Sequence, residues 1–254
     1  MTSKYYFNWP LLWLLFVLGI SGQLSLLPVL NTLLSAVVAP LPLPQWSLIL
    51  LSILQTTVIL LCALMLGNWC SVRVDLGAPL FAAWLARKPI RWRDVQDPLL
   101  MAGLVAILCS ILLLCLQQVA IPRLPADFIA NSSKLDLPLY SRLLYGGLTE
   151  ELLVRWGAMS FLLWLFYRIF CRGNLAPPRT YIWLSIVLSA LLFGLGHLPA
   201  ALMLTTSANS FLFIYLLLGN GIFGVAAGWL FWRYGLEAAM LAHMLIHLML
   251  YMAN

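Results

Sequence analysis

The sequence predicts an all-α protein, a polytopic bundle of about seven transmembrane helices with a shorter eighth element. Three observations support this. Of 254 residues, 63% are hydrophobic and only 9% are charged, which excludes the usual soluble composition of about a quarter charged residues. Apolar runs of about 20 residues, the length that crosses about 30 Å of hydrocarbon, recur along the chain. Prolines fall at or beyond the ends of those runs, where a missing N–H does least harm. We read one integral membrane domain, residues 1–254, with its motif-bearing half at about 139–254.

The first span is drawn at 9 to 27 and closed by Pro28. The small residues "SAVVA" at 35 to 39 would suit signal-peptide cleavage, but the apolar stretch is long for that, so the span is expected to be retained. The second span, 46 to 66, follows the "PLPLP" run at 40 to 44. The segment "LGAPLFAAWLA" at 76 to 86 is too short to cross and reads as an interfacial or re-entrant helix. A third span runs from 98 to 120 between Pro98 and Pro122, and a fourth from 139 to 168 after Pro138. Beyond the prolines at 177 and 178 come spans at 180 to 197, 209 to 232 and 235 to 252. Gly224 and Gly228 form a GxxxG step, the pattern of ordinary close helix packing in membranes.

With the N-terminus inside, the inner segments carry Lys4, Arg73, Arg87, Lys88, Arg91, Arg93, Arg168, Arg172, Arg179 and Arg233, whereas the outer loops carry only Arg123 and Lys134. The positive-inside rule therefore favours a cytoplasmic N-terminus and an outer C-terminus. Orientation bias also explains the net charge of +6, so no nucleic-acid partner is expected. The five cysteines are odd in number and form no CxxC pair, and most read as small buried hydrophobes. Lipid is the implied surrounding; the sequence carries no signal for an oligomeric state.

Few ionisable residues remain at membrane depth: Glu150, Glu151 and Arg155 on the fourth span, His197 ending the fifth, and Glu237, His243 and His247 on the seventh. Such residues are expensive in a bilayer and mark a functional site by default; the bland alternative is a buried ion-pair knot that fixes packing. Helical phase divides the acidic pair. Glu151 and Arg155 are four apart and share a face, whereas Glu150 points about 140° away from Arg155. Glu151 and Arg155 therefore look structural, and Glu150 has the unpartnered carboxylate that a general base requires. His243 and His247, also four apart, suit either two metal ligands or two donors to one oxygen. Glu237, two residues into its span, reads as charge compensation at that helix's N-terminus.

The ordered set EExxxR (Glu150, Glu151, Arg155), FxxxH (Phe193, His197) and HxxxH (His243, His247), each on a separate late span, closely resembles the CPBP family. These are the CAAX-protease and bacteriocin-processing proteins, intramembrane glutamic endopeptidases. The resemblance covers roughly residues 139 to 254, while the first half resembles only a generic membrane bundle. It implies that Glu150 with His197 activates a water for attack on a peptide carbonyl. His243 and the residue four positions on would stabilise the oxyanion, with Glu151 and Arg155 in support. The family often has Asn at that last position, where this chain has His247, which can also donate an N–H. "FGLGHLPA" and "GLEAAMLAH" look closest to the bacterial sorting-type subgroup. That implies a bacterial inner-membrane enzyme without a cofactor, cutting a C-terminal anchor or CAAX-like segment of a membrane-anchored protein.

Two other readings stay open. A zinc protease could use His197, His243, His247 and Glu150 as ligands, although no HExxH is present. A non-enzymatic immunity or chaperone factor could use the same buried charges as a relay.

Overall fold

The computed structural model describes residues 7–30, 44–135, 137–171 and 176–253. "SAVVA" at 35–39, most of the "PLPLP" run, Lys4 and Arg172 lie outside them. The described residues form helices and no strand. We number the helices used below α1 (Trp9–Ser25), α2 (Gln45–Ser71), α3 (Pro79–Leu85), α4 (Trp92–Ala120), α5 (Ala126–Ser132), α6 (Leu139–Phe170), α7 (Arg179–Gly196), α8 (Leu198–Leu202), α9 (Ser210–Tyr234) and α10 (Leu236–Ala253).

Six stretches among the described residues are long and apolar enough to cross a membrane: α2, α4 with the turn to Arg123, α6, α7 with α8, α9 and α10. α1 is apolar but has 17 residues, about 26 Å at 1.5 Å per residue. All seven predicted spans are thus helical, and the short helix expected at 76 to 86 is α3. Side chains such as Leu54 and Leu108, 58% and 59% exposed, face outward as expected of surfaces solvated by lipid.

α6 is not a uniform α-helix. After one turn the backbone widens to π-helical geometry over Arg142–Glu150 and again over Leu152–Met159, then returns to α from Ser160 to Phe170. Such i→i+5 turns are rare and recur at functional sites. Close approach on several sides holds this wide helix. A Cβ on Gly67 of α2 would lie 2.3 Å from the Trp156 ring, and one on Gly157 would lie 2.7 Å from Cβ of Ala63. Thr149 donates its hydroxyl to the Gly19 carbonyl of α1 at 2.8 Å. α9 packs on α7 through the predicted glycine step: a Cβ on Gly224 would come within 2.7 Å of Ala190 Cβ, and one on Gly228 within 2.9 Å of Ile186.

Three expectations need correction. His197 does not end its span. It caps α7, and the apolar stretch continues through α8 to Leu202. Pro199, in the first turn of α8, lacks the N–H that would continue the α7 ladder, and this accounts for the break. The expectation for Glu237 is incomplete: it lies in the first turn of its own helix, and its Oε1 also accepts the Phe81 N–H at 2.7 Å, in the first turn of α3. Only Cys70 and Cys109 are buried; Cys62 and Cys115 are exposed on the bundle surface, and all five thiols are free.

At the end of the bundle away from most of the basic residues, one carboxylate ties two connections together. Asp127 of α5 accepts from the Thr205 hydroxyl at 2.7 Å, the Thr206 N–H at 2.8 Å and the Ser207 hydroxyl at 2.8 Å. These donors hold its carboxyl well below the usual carboxylate range.

Candidate active site

The wide turns of α6 set Glu150 and Glu151 in different surroundings. Glu151 is fully buried, and its Oε2 lies 3.2 Å from Arg155 Nε, also fully buried. Its Oε1 accepts from His243 Nδ1 at 2.9 Å. The Arg155 guanidinium lies over Phe193 and Phe223, 5.1 and 5.5 Å from the ring centroids, so π-faces complete the enclosure of the cation. Glu151 and Arg155 therefore join α6 to α7, α9 and α10.

Glu150 keeps 16% of its side chain exposed and faces two imidazoles. Its Oε1 is 3.7 Å from His197 Nε2 and its Oε2 is 3.9 Å from His243 Nε2. Both distances exceed a direct hydrogen bond and suit a bridging water. His197 Nδ1 lies 2.9 Å from the Phe193 carbonyl, an oxygen that can only accept, so Nδ1 carries a proton. In neutral His197 the lone pair on Nε2 then faces Glu150. Phe193 thus contributes a carbonyl that fixes the tautomer as well as a ring.

His247 stacks on His243, with ring centroids 4.8 Å apart and planes at 16°. Gly146 makes room for it: a Cβ there would lie 2.3 Å from His247 Nε2. Glu150, His197 and His243 converge, and His247 lies beside them. Among the described residues, no three His, Cys, Asp or Glu side chains are grouped so as to hold a metal ion.

Glu150 and His197 line the wall of a cavity of about 640 Å³ whose other walls are mostly apolar, including Leu26, Ile53, Leu192 and Leu216. Two neighbours escaped sequence reasoning. Phe223, 4.2 Å from His243 between ring centroids, sits in an apolar run that gives no sign of its role. Tyr145 lines the cavity, and its position five residues before Glu150 becomes informative only once the helix is known to be π.

Residues 135–249 match the family model described as type II CAAX prenyl endopeptidase, Rce1-like. Over these residues the chain is similar to that family. The matched part contains Glu150, Glu151, Arg155, Phe193, His197, His243 and His247. No curated protein and no solved structure matches the chain. The Rce1-like match indicates a CAAX-type membrane endopeptidase, a hydrolase that meets a membrane-associated peptide within lipid. It does not extend to the sorting-type subgroup.

Proposed function

We propose that the chain is a glutamic intramembrane endopeptidase in which Glu150 and His197 activate the attacking water. The supporting observation is the 3.7 Å gap between Glu150 Oε1 and His197 Nε2, with the His197 tautomer fixed by the Phe193 carbonyl. A carboxylate and an imine-type nitrogen are both acceptors, so each takes one O–H of a water held between them. The water oxygen is then free to point a lone pair at a peptide carbonyl in the cavity. Glu150 takes the proton as the C–O bond forms and returns it to the amine as the C–N bond breaks.

The developing oxyanion needs donors. His247 can supply a ring N–H. His243, whose Nδ1 proton is engaged by Glu151, can donate from Nε2 only as the imidazolium. Glu151, Arg155 and Phe193 position these groups.

The apolar cavity suits a substrate whose scissile bond is flanked by apolar residues, such as a C-terminal anchor or a CAAX-like end. Its lining reaches Phe128, Leu135, Leu137 and Leu204, at the end of the bundle poorer in Lys and Arg. With the N-terminus cytoplasmic, that is the outer side of a bacterial inner membrane, where exported proteins carry their anchors. This favours the sorting-type substrate.

The test is cleavage of a co-expressed anchored reporter. Glu150→Gln and His197→Ala should each abolish it while the protein still accumulates in the membrane. Full cleavage by Glu150→Gln would refute the proposal. Elemental analysis of the active purified protein addresses the zinc alternative, since stoichiometric zinc lost together with activity would favour it.

A further inference from the structure

A second cavity, of about 680 Å³, lies at the opposite, basic end of the bundle and plays no part in the chemistry above. It is lined by Asn68 and Ser71 at the end of α2 and by Trp156 from the wide part of α6, which are 1%, 0% and 1% exposed. Asn68 Oδ1, Ser71 Oγ and Trp156 Nε1 have no hydrogen-bond partner among the described residues. Buried polar atoms are rarely left unpaired, so three of them lining one cavity point to an occupant that both donates and accepts. The exposed rim carries Asp75, Asp94 and Asp97 with Arg93 and Arg233; Asp94 is paired with Arg91, and the other four form no ion pair within the described residues.

We infer that this cavity binds the headgroup of an aminophospholipid, a phosphoethanolamine on a diacylglycerol. Its primary ammonium has N–H donors for Asn68 Oδ1 and for the rim carboxylates. Its phosphate has acceptors for the Trp156 N–H, the Ser71 hydroxyl and Arg93. A phosphocholine headgroup has no N–H and leaves Asn68 Oδ1 unpaired. An anionic headgroup without an ammonium offers nothing to the three rim carboxylates, Asp75, Asp94 and Asp97, which outnumber the guanidiniums of Arg93 and Arg233. The setting matches a lipid rather than a soluble ligand: the cavity lies where spans end, and Trp92, 71% exposed, stands at that level as interfacial tryptophans do.

Native mass spectrometry of the full chain in detergent, with equimolar dioleoyl phosphatidylethanolamine, phosphatidylcholine and phosphatidylglycerol, tests this. The expected result is about fivefold or greater retention of phosphatidylethanolamine over either competitor, a preference lost in Asp97→Asn, whereas Ser71→Ala lowers retention of all three lipids alike. Asp97 is exposed, and removing an unpaired hydroxyl is at worst neutral for folding, so both variants should fold. Equal retention of all three lipids, preference for phosphatidylglycerol, an unchanged preference in Asp97→Asn, or unchanged retention in Ser71→Ala would overturn the assignment. So would saturation by soluble glycerophosphoethanolamine at the lipid's own concentration.

Discussion

His243 Nδ1 donates to Glu151 Oε1 across 2.9 Å, tying α10 to the wide turns of α6 where both side chains are almost fully enclosed. The other Glu151 oxygen faces Arg155, so one carboxylate neutralises a buried cation and orients an imidazole. Arg155→Met removes the cation and leaves Glu151 buried without its counter-charge. The expected loss is about 3–5 kcal/mol, the usual result of breaking a buried pair from one side. Denaturant unfolding in detergent measures it. A loss below about 1 kcal/mol, typical of an exposed pair, would show that the ion pair is solvated.

Two glycines predict opposite phenotypes. In Gly224→Ala the new Cβ meets Cβ and Cα of Ala190 at 2.7 and 3.0 Å, atoms that move only with α7 itself, so stability should fall by about 1–3 kcal/mol. In Gly146→Ala the obstacle is the far end of His247, which can swing aside. Here folding should survive while cleavage drops. Unfolding midpoints and cleavage rates measured on both variants check the contrast.

The residues that escaped sequence reasoning share a physical reason. The Glu151–Arg155 pair was legible because i,i+4 partners meet in an α-helix and still meet, at 3.2 Å, in the wider one. The widening itself was not legible: "GGLTEELLVRWG" has the composition of an ordinary amphipathic turn, and the π geometry comes from packing against α1, α2 and α10. Phase arguments separated Glu150 from Glu151 correctly but could not find Tyr145. Similarly, Glu237 was recognisable as a group that meets a helix N-terminus. That the helix is α3, distant in sequence, is tertiary information. His197 was placed at a span end, whereas hydropathy carries the stretch on to Leu202.

His247 occupies the position where the family often has Asn, and the donor role makes a graded prediction. His247→Asn keeps an N–H near the same place and should retain measurable cleavage. His247→Leu keeps bulk without a donor and should lose about 10²–10³-fold in kcat. Equal activity of the two variants would remove His247 from the oxyanion site.

Asp127 gives a pH signature outside the membrane. Its carboxyl titrates below the ordinary range because Thr205, Thr206 and Ser207 donate to the charged form. A group depressed in the folded state stabilises above its unfolded value of about 3.9, and that contribution fades as pH falls toward the folded value. Asp127→Asn should therefore speed hydrogen exchange in the 203–209 connection at neutral pH, and the difference from the parent protein should shrink in acid. Identical exchange at pH 7 would show that the clasp does not hold the connection.

The distinction between two adjacent glutamates underlies the whole account, and one paired measurement addresses it: cleavage rate and unfolding midpoint for purified Glu150→Gln beside Glu151→Gln. Glu150→Gln should lose cleavage with an unfolding midpoint close to that of the parent protein, because its carboxylate has no direct partner closer than 3.7 Å. Glu151→Gln should lower the midpoint, because Arg155 and His243 lose their shared counter-charge. A Glu150→Gln protein that cleaves at the parent rate, or a Glu151→Gln protein with an unchanged midpoint, would contradict it.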